Sequence, residues 1–493
     1  MDIKQAKKQI RNAVLAYCTR NEYGEFRIPV SKQRPVFLVG APGIGKTAIV
    51  EQIAKELDLA FVSYSMTHHT RQSALGLPFI SDQEYEGEAY KVSEYTMSEI
   101  IASVYDEIKR TGKKDGILFL DEINCVSETL APSMLQFLQY KTFGRHQIPA
   151  GWIVVTAGNP PAYNRSVREF DVAMLDRLKK IEVEPDFEAW KEFAIETHVH
   201  PSVLSYLTIK PNHFYSITSS VDGMQFVTAR GWDDLSQMIM LYEINGLEAD
   251  IDLFGQYLQD EKIAKDFANY YALFRKYQSD YQVGAILDGT ADREIKERAS
   301  AAKFDERLSL LSLLLSQLND DIAPVVHRGA SLKAVLKSMT SGTDDTGALL
   351  REQIETYMEK AQKTDGQDKR DTALDTMMVY RKLLYAYEAD PKKETIREVL
   401  KNQVSAYNTK VIRCQEELNN AFLFLEETLG SGQEMLIFVT ELSINPNTSQ
   451  FIFEHGCEKY YEHNKRLMFE NRQDELSKRI DALHLSEVET AIS

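Results

Sequence analysis

The stretch Phe37 to Val50, FLVGAPGIGKTAIV, constrains this chain more than any other. An apolar run enters a glycine-rich turn, and helix-forming residues leave it. Gly40-Ala41-Pro42-Gly43-Ile44-Gly45-Lys46-Thr47 fits the spacing G-x-x-x-x-G-K-[ST]. Glycines let such a turn wrap tightly, so that backbone N–H groups converge on the oxygens of a phosphate. The helix that follows presents its positive end to the same anion. Residues Gly40 through Ala48 are therefore the candidate cradle. Lys46 is expected to neutralise the β- and γ-phosphates, and Thr47 to ligate Mg²⁺.

A phosphate cradle that supports chemistry needs a carboxylate opposite it. ILFLDE (117–122) supplies one: an apolar strand ending in Asp121 and Glu122. The carboxyl ends of strands are where α/β sheets bind ligands. Asp121 suits the Mg²⁺ shell, and Glu122 suits polarising an attacking water. The two motifs together define a nucleoside-triphosphate site.

The surrounding chain fits that setting. Residues 30–185 alternate short apolar runs with helical patterns: PVFLVG, LAFVSYSM, GILFLDE, GWIVVTAGN and KKIEVE, separated by segments such as TAIVEQIAKEL and SEIIASVYDEIKR. Runs that are apolar throughout suit strands buried on both faces of a mainly parallel sheet. Apolar residues three and four apart suit crossover helices. The expected fold is a three-layer α/β P-loop core over 30–185, preceded by an N-terminal amphipathic helix within 1–29. Two hairpins are expected as inserts, at 76–92 and at 140–152 with its turn at Gly144. From about Pro185 the pattern turns helical: a small helical domain over 186–285, then an all-α region over 286–493. Two stripes spaced by threes and fours, Phe304 to Ile322 and Leu400 to Leu425, read as helix-bundle seams. They serve either an intrachain core or an intermolecular coiled coil. SGTDDTG (341–347) and TDGQD (364–368) read as loops.

Composition narrows the functional classes. At 493 residues the chain exceeds what one core organises. The formal net charge is −17, and no dense Lys/Arg cluster offsets it, which argues against nucleic acid as a partner. No apolar run is long enough to span a bilayer, LLSLLLSQL included. The N-terminus lacks the continuous apolar core of a secretory signal, so a cytoplasmic protein is expected. Four cysteines stand far apart, without the spacing of a structural zinc site or disulfide framework. Cys125 reads as packing. His68-His69 and the pair His198 and His200 lack a third ligand nearby, so no metal is expected there.

The motifs together resemble a known class. An acidic residue directly after the Walker B aspartate is typical of AAA+ ATPases. LFLDEIN, AGNP and LDRL, with the two hairpin inserts, resemble the MoxR-like branch over roughly residues 30–245. The resemblance implies that 186–285 is the helical lid. It also implies roles by residue. Asn159, ending the strand GWIVVTAGN, corresponds to sensor 1, which orients the lytic water; an amide both donates and accepts. Arg177 in AMLDRL corresponds to the arginine finger that reaches a nucleotide held by a neighbouring subunit, with Arg165 and Arg168 as competitors. Arg230 in FVTARGW corresponds to sensor 2, although Ala229 stands where the class usually has proline. The resemblance further implies ATP and Mg²⁺ as ligands and a homo-oligomeric ring, usually a hexamer. The activity it implies is chaperone-like remodelling of protein complexes, often alongside a partner with a von Willebrand factor A domain. The C-terminal helical region is the candidate for partner binding or for capping the ring.

Two other functions compete. A nucleic-acid motor would need a basic stripe, for which Lys141, Arg145 and His146 in the second hairpin are the only local hint. A nucleotide-switched scaffold would need a broken catalytic set. Guanine nucleotide stays open, since no base-reading motif is present.

Overall fold

Five of the apolar runs pair into one parallel sheet. Strands are numbered along the chain: β1 (Val36–Gly40), β2 (Ala60–Ser65), β3 (Pro78–Tyr85), β4 (Glu88–Tyr95), β5 (Gly116–Asp121), β6 (Thr142–Phe143), β7 (His146–Gln147), β8 (Trp152–Gly158), β9 (Lys179–Val183), β10 (Ser216–Ser220) and β11 (Gly223–Val227). The computed structural model describes residues 1–67, 76–163, 167–220, 223–340, 345–364 and 366–465. His68, His69, Arg165 and part of the loop SGTDDTG lie outside the described residues.

The sheet order is β2-β5-β8-β1-β9, with every neighbouring pair parallel. Central β8 is buried along its whole length, as an interior strand covered on both faces must be. Edge strand β9 alternates instead: Ile181 and Val183 are buried, while Lys180 and Glu182 are exposed.

Successive residues of the inner strands feed two cores. Phe37, Leu118, Leu120 and Val154 point to one face. There they meet Ile100 and Val104 of the helix Glu99–Thr111, and Met134 and Phe137 of the helix Ala131–Tyr140. Leu38, Phe119, Ile153 and Val155 point to the other, against Val50 and Ile53 of the helix Lys46–Glu56 and Ile10 and Val14 of the helix Ile3–Cys18. This is the three-layer α/β arrangement expected of the core.

Hairpin β3–β4 pairs from Pro78↔Tyr95 to Tyr85↔Glu88, and β6–β7 turns at Gly144. A third pair, β10–β11, was not expected within a stretch read as helical.

The chain forms two compact units. One takes Met1–Trp190, Asn212–Leu235 and Gln256–Asp260; the other takes Lys191–Pro211, Ser236–Gly255 and the chain from Glu261 onward. The stretch 186–285 is thus divided between them.

Described by itself, the second unit is helical. Its longest helices are Phe304–Thr340 and Lys393–Thr428. Leu308, Leu311, Leu318 and Ile322 of the first share a core with Val411, Cys414, Leu418, Ala421 and Leu425 of the second. The leucine stripes are therefore consumed within the chain along these stretches. A three-layer α/β core and a long helical part make up the described residues.

Candidate nucleotide site

Parallel pairing puts the carboxyl ends of β1, β5 and β8 at one edge of the sheet. The three candidate motifs sit there because each directly follows one of these strands.

The turn after β1 leads into the helix Lys46–Glu56. Its N-cap is Gly45, at φ 89°, a left-handed conformation in which a side chain would be strained. No side chain caps this helix end. Its first N–H groups are thus left for an external acceptor, which is the requirement of a phosphate site. Lys46, only 8% exposed, folds back over the turn. Its Nζ donates to Gly40 O at 2.9 Å, Ala41 O at 2.8 Å and Asn159 Oδ1 at 2.9 Å. Burial pulls its pKa down to about 8, while Asp121 and Glu122 partly restore the charged form and Arg230 opposes it.

Thr47 Oγ1 donates to Asp121 Oδ2 at 3.1 Å. A hydroxyl and a carboxylate are hard oxygen ligands of the kind Mg²⁺ takes together with phosphate, so this pair fits the ion. Asp121 Oδ1 accepts the backbone N–H of Glu122 at 2.9 Å. Glu122 itself has φ 55°, left-handed for a non-glycine residue. Such conformations are uncommon and tend to mark functional sites.

Segment 212–235 closes on the turn from within the same compact unit. Tyr215 Oη donates to Pro42 O at 2.9 Å, and burial raises the pKa of this hydroxyl, keeping it a donor. The Arg230 backbone N–H donates to Gly43 O at 3.1 Å. A Cβ on Gly43 would meet Thr228 at 2.9 Å, so this approach has no room for a side chain.

The structure thus brings together Gly40 to Ala48, Asp121, Glu122, Asn159 and the backbone of Arg230. It does not bring Arg177 into that group by any hydrogen bond or ion pair. Among the described residues the half-buried Arg177 guanidinium has no partner at all, since neighbouring Asp176 faces Arg34 at 3.7 Å. Arg168 is engaged by Glu128 at 2.7 Å. Arg165 lies outside the described residues.

Three features escaped the sequence reading. Asn124 links the end of β5 to Asn159, and Tyr215 holds the phosphate turn. Both partners are distant in sequence, and neither residue belongs to a recognised spacing. Lys141, offered as a surface base, is 1% exposed; it donates to Gln33 Oε1 at 2.9 Å and Trp152 O at 2.6 Å.

The comparisons with known proteins agree with this geometry. Residues 35–178 match the family described as AAA domain (dynein-related subfamily). The chaperone protein ClpB of Helicobacter hepaticus is 32% identical over 106 residues, covering 22% of this chain and 11% of that protein. This chain therefore carries an AAA+ ATPase domain, with the nucleotide binding that this class implies.

Proposed function

We propose that this protein is a Mg²⁺-dependent ATPase of the MoxR-like kind that remodels protein complexes as a homo-oligomeric ring. The observation that carries the reading is the convergence of Lys46, Thr47, Asp121 and Asn159 through direct hydrogen bonds at one sheet edge. ClpB, the relative matched over a short stretch, is by its name a chaperone.

The roles follow from chemistry. N–H groups of residues 43–48 bind phosphate oxygens, and Lys46 exchanges its carbonyl partners for them. Thr47 and Asp121 would hold Mg²⁺, which would supply neutralisation of phosphate charge. Glu122 draws a proton from the attacking water. Asn159, with Oδ1 on Lys46, keeps an N–H₂ group free to orient that water or the terminal phosphate. Arg230 approaches from segment 212–235. Arg177, whose guanidinium has no partner within the described chain, serves a neighbouring subunit's nucleotide. The C-terminal helical region, 286–493, offers the binding surface for a client or for a partner such as a von Willebrand factor A domain protein, or else caps the ring.

Two observations speak against the nucleic-acid alternative. Lys141 is internal, and Arg145 is paired with Glu94 at 2.9 Å. Only His146, bonded to Tyr95 O, remains of the supposed basic stripe.

Glu122→Gln tests the assignment. It is expected to bind ATP as the wild type does while hydrolysis falls by about a hundredfold or more. Unchanged turnover in this variant would remove Glu122 from the mechanism; a wild type that binds ATP but never cleaves it would favour the switched scaffold.

A further inference from the structure

Asn159 lies just past the end of the sheet ladder. The pairing of β8 with β5 ends at Thr156, and its pairing with β1 ends at Gly158. The carbonyl of Asn159 therefore has no strand neighbour to hold it, and Pro160 follows, restricting the residue without anchoring it. Yet the Asn159 side chain has to be held to a fraction of an ångström if it is to orient a reacting group.

Asn124 supplies the missing anchor. It sits in the single helical turn Ile123–Cys125, directly after Glu122, and is 5% exposed. Its Nδ2 donates to Asn159 O at 2.7 Å. Its amide lies flat against Gly158, where an added Cβ would come within 2.4 Å of Asn124 Oδ1. Its own carbonyl accepts the backbone N–H of Arg168 at 2.9 Å. One residue thus ties the turn of Asp121 and Glu122, the end of β8 and the start of the arginine-bearing segment.

The other amide atom shows which contact matters. Asn124 Oδ1 is buried with no hydrogen-bond partner. A bare buried acceptor is a cost that an apolar side chain of the same size would avoid. Packing alone therefore does not account for an amide here, whereas the Nδ2 donation to Asn159 does.

We propose that Asn124 is a positioning residue for hydrolysis: it fixes the backbone of Asn159 so that the Asn159 amide stays on Lys46 and faces the reacting phosphate. This rests on the ATPase reading above. Asn124 acts through the Asn159 backbone.

The test uses the full chain with Asn124→Leu, which keeps the volume and removes both the donor and the bare acceptor. Nucleotide affinity is expected within about twofold of wild type and kcat lower by about ten- to a hundredfold, with no loss of thermal stability. In the Asn159→Ala background the same substitution is expected to change kcat no further. Asn124→Ala provides the second variant should the leucine not fold. Wild-type kcat in either variant, or an effect that simply adds to that of Asn159→Ala, would overturn the proposal while leaving the ATPase reading intact. A wild type without hydrolysis would overturn both.

Discussion

The Lys46 ammonium is bonded to two carbonyls of its own turn and to the amide of Asn159, all neutral acceptors. Neutral acceptors hold a buried charge less well than a carboxylate would, and burial accordingly brings the pKa to about 8. A polyphosphate arriving at the same ammonium favours the charged form, so the pKa rises on binding. Linkage then sets the direction of the pH effect. Below the free-state value Lys46 is protonated in both states, and affinity is flat with pH. Above it the free protein has lost the proton that the complex must regain, so affinity falls, by up to about tenfold per pH unit. Equilibrium binding of a slowly hydrolysed ATP analogue from about pH 7 to about pH 9.5 is expected to show a plateau followed by this decline. Lys46→Arg, which stays charged throughout, is expected to bind weakly and without the decline. A flat profile in the wild type would mean that the ammonium does not meet the phosphates.

At the scale of elements, Lys141 shows how a surface-looking residue becomes structural. It ends the helix Ala131–Tyr140 in a left-handed conformation, φ 57°, and its Nζ turns inward. Gln33, which accepts from it, in turn donates to Tyr17 O and Ile28 O. The ammonium thereby joins the entry of β8 to the segment that leads from the first helix into β1. Burial lowers its pKa to about 8. Lys141→Ala leaves two buried acceptors bare and opens a void, and is expected to cost about 2–4 kcal/mol in chemical denaturation. Lys141→Met, which keeps the volume, is expected to cost about 1–2 kcal/mol. An equal loss in both would place the cost in the hydrogen bonds rather than in the cavity. The same residue marks what the sequence could carry. The parallel sheet was legible because β1, β5 and β8 are apolar along almost all of their length, and the phosphate turn because its signal lies in eight consecutive residues. Asp121 and Asn159 were legible because the first ends such a strand and the second directly follows one. Lys141 was not, since its partner Gln33 is 108 residues away. Nor was Asn124, an ordinary amide until the fold brings Asn159 against it. Hairpin β10–β11 was missed because its second strand buries Val227 alone, with Met224 and Phe226 exposed, so no run of buried positions sets an alternation.

For the whole molecule, the residue to test is Arg177, proposed to complete the site of a neighbouring subunit. Arg177 follows the short helix Val172–Leu175, its N–H bonded to Met174 O and its guanidinium unpaired among the described residues. An arginine completing a neighbour's site is worth about 10³-fold or more in rate. Arg177→Ala is therefore expected to be nearly inactive, as is Glu122→Gln. The two defects differ in which subunit they strike if Arg177 acts in trans. A Glu122→Gln subunit still offers a sound arginine, and an Arg177→Ala subunit still offers a sound water-activating carboxylate. Mixed together and allowed to exchange subunits, two inactive proteins are expected to regain a fraction of wild-type turnover. That fraction would be set by how often the arginine of one type abuts the nucleotide of the other. Wild-type turnover per subunit is expected to fall on dilution for the same reason, as completed sites are lost to dissociation. If Arg177 acts on its own nucleotide, every subunit of the mixture is defective and no activity returns at any ratio. If mixing Arg168→Ala with Glu122→Gln restores activity and mixing Arg177→Ala does not, the finger is Arg168, which must then leave Glu128 on assembly.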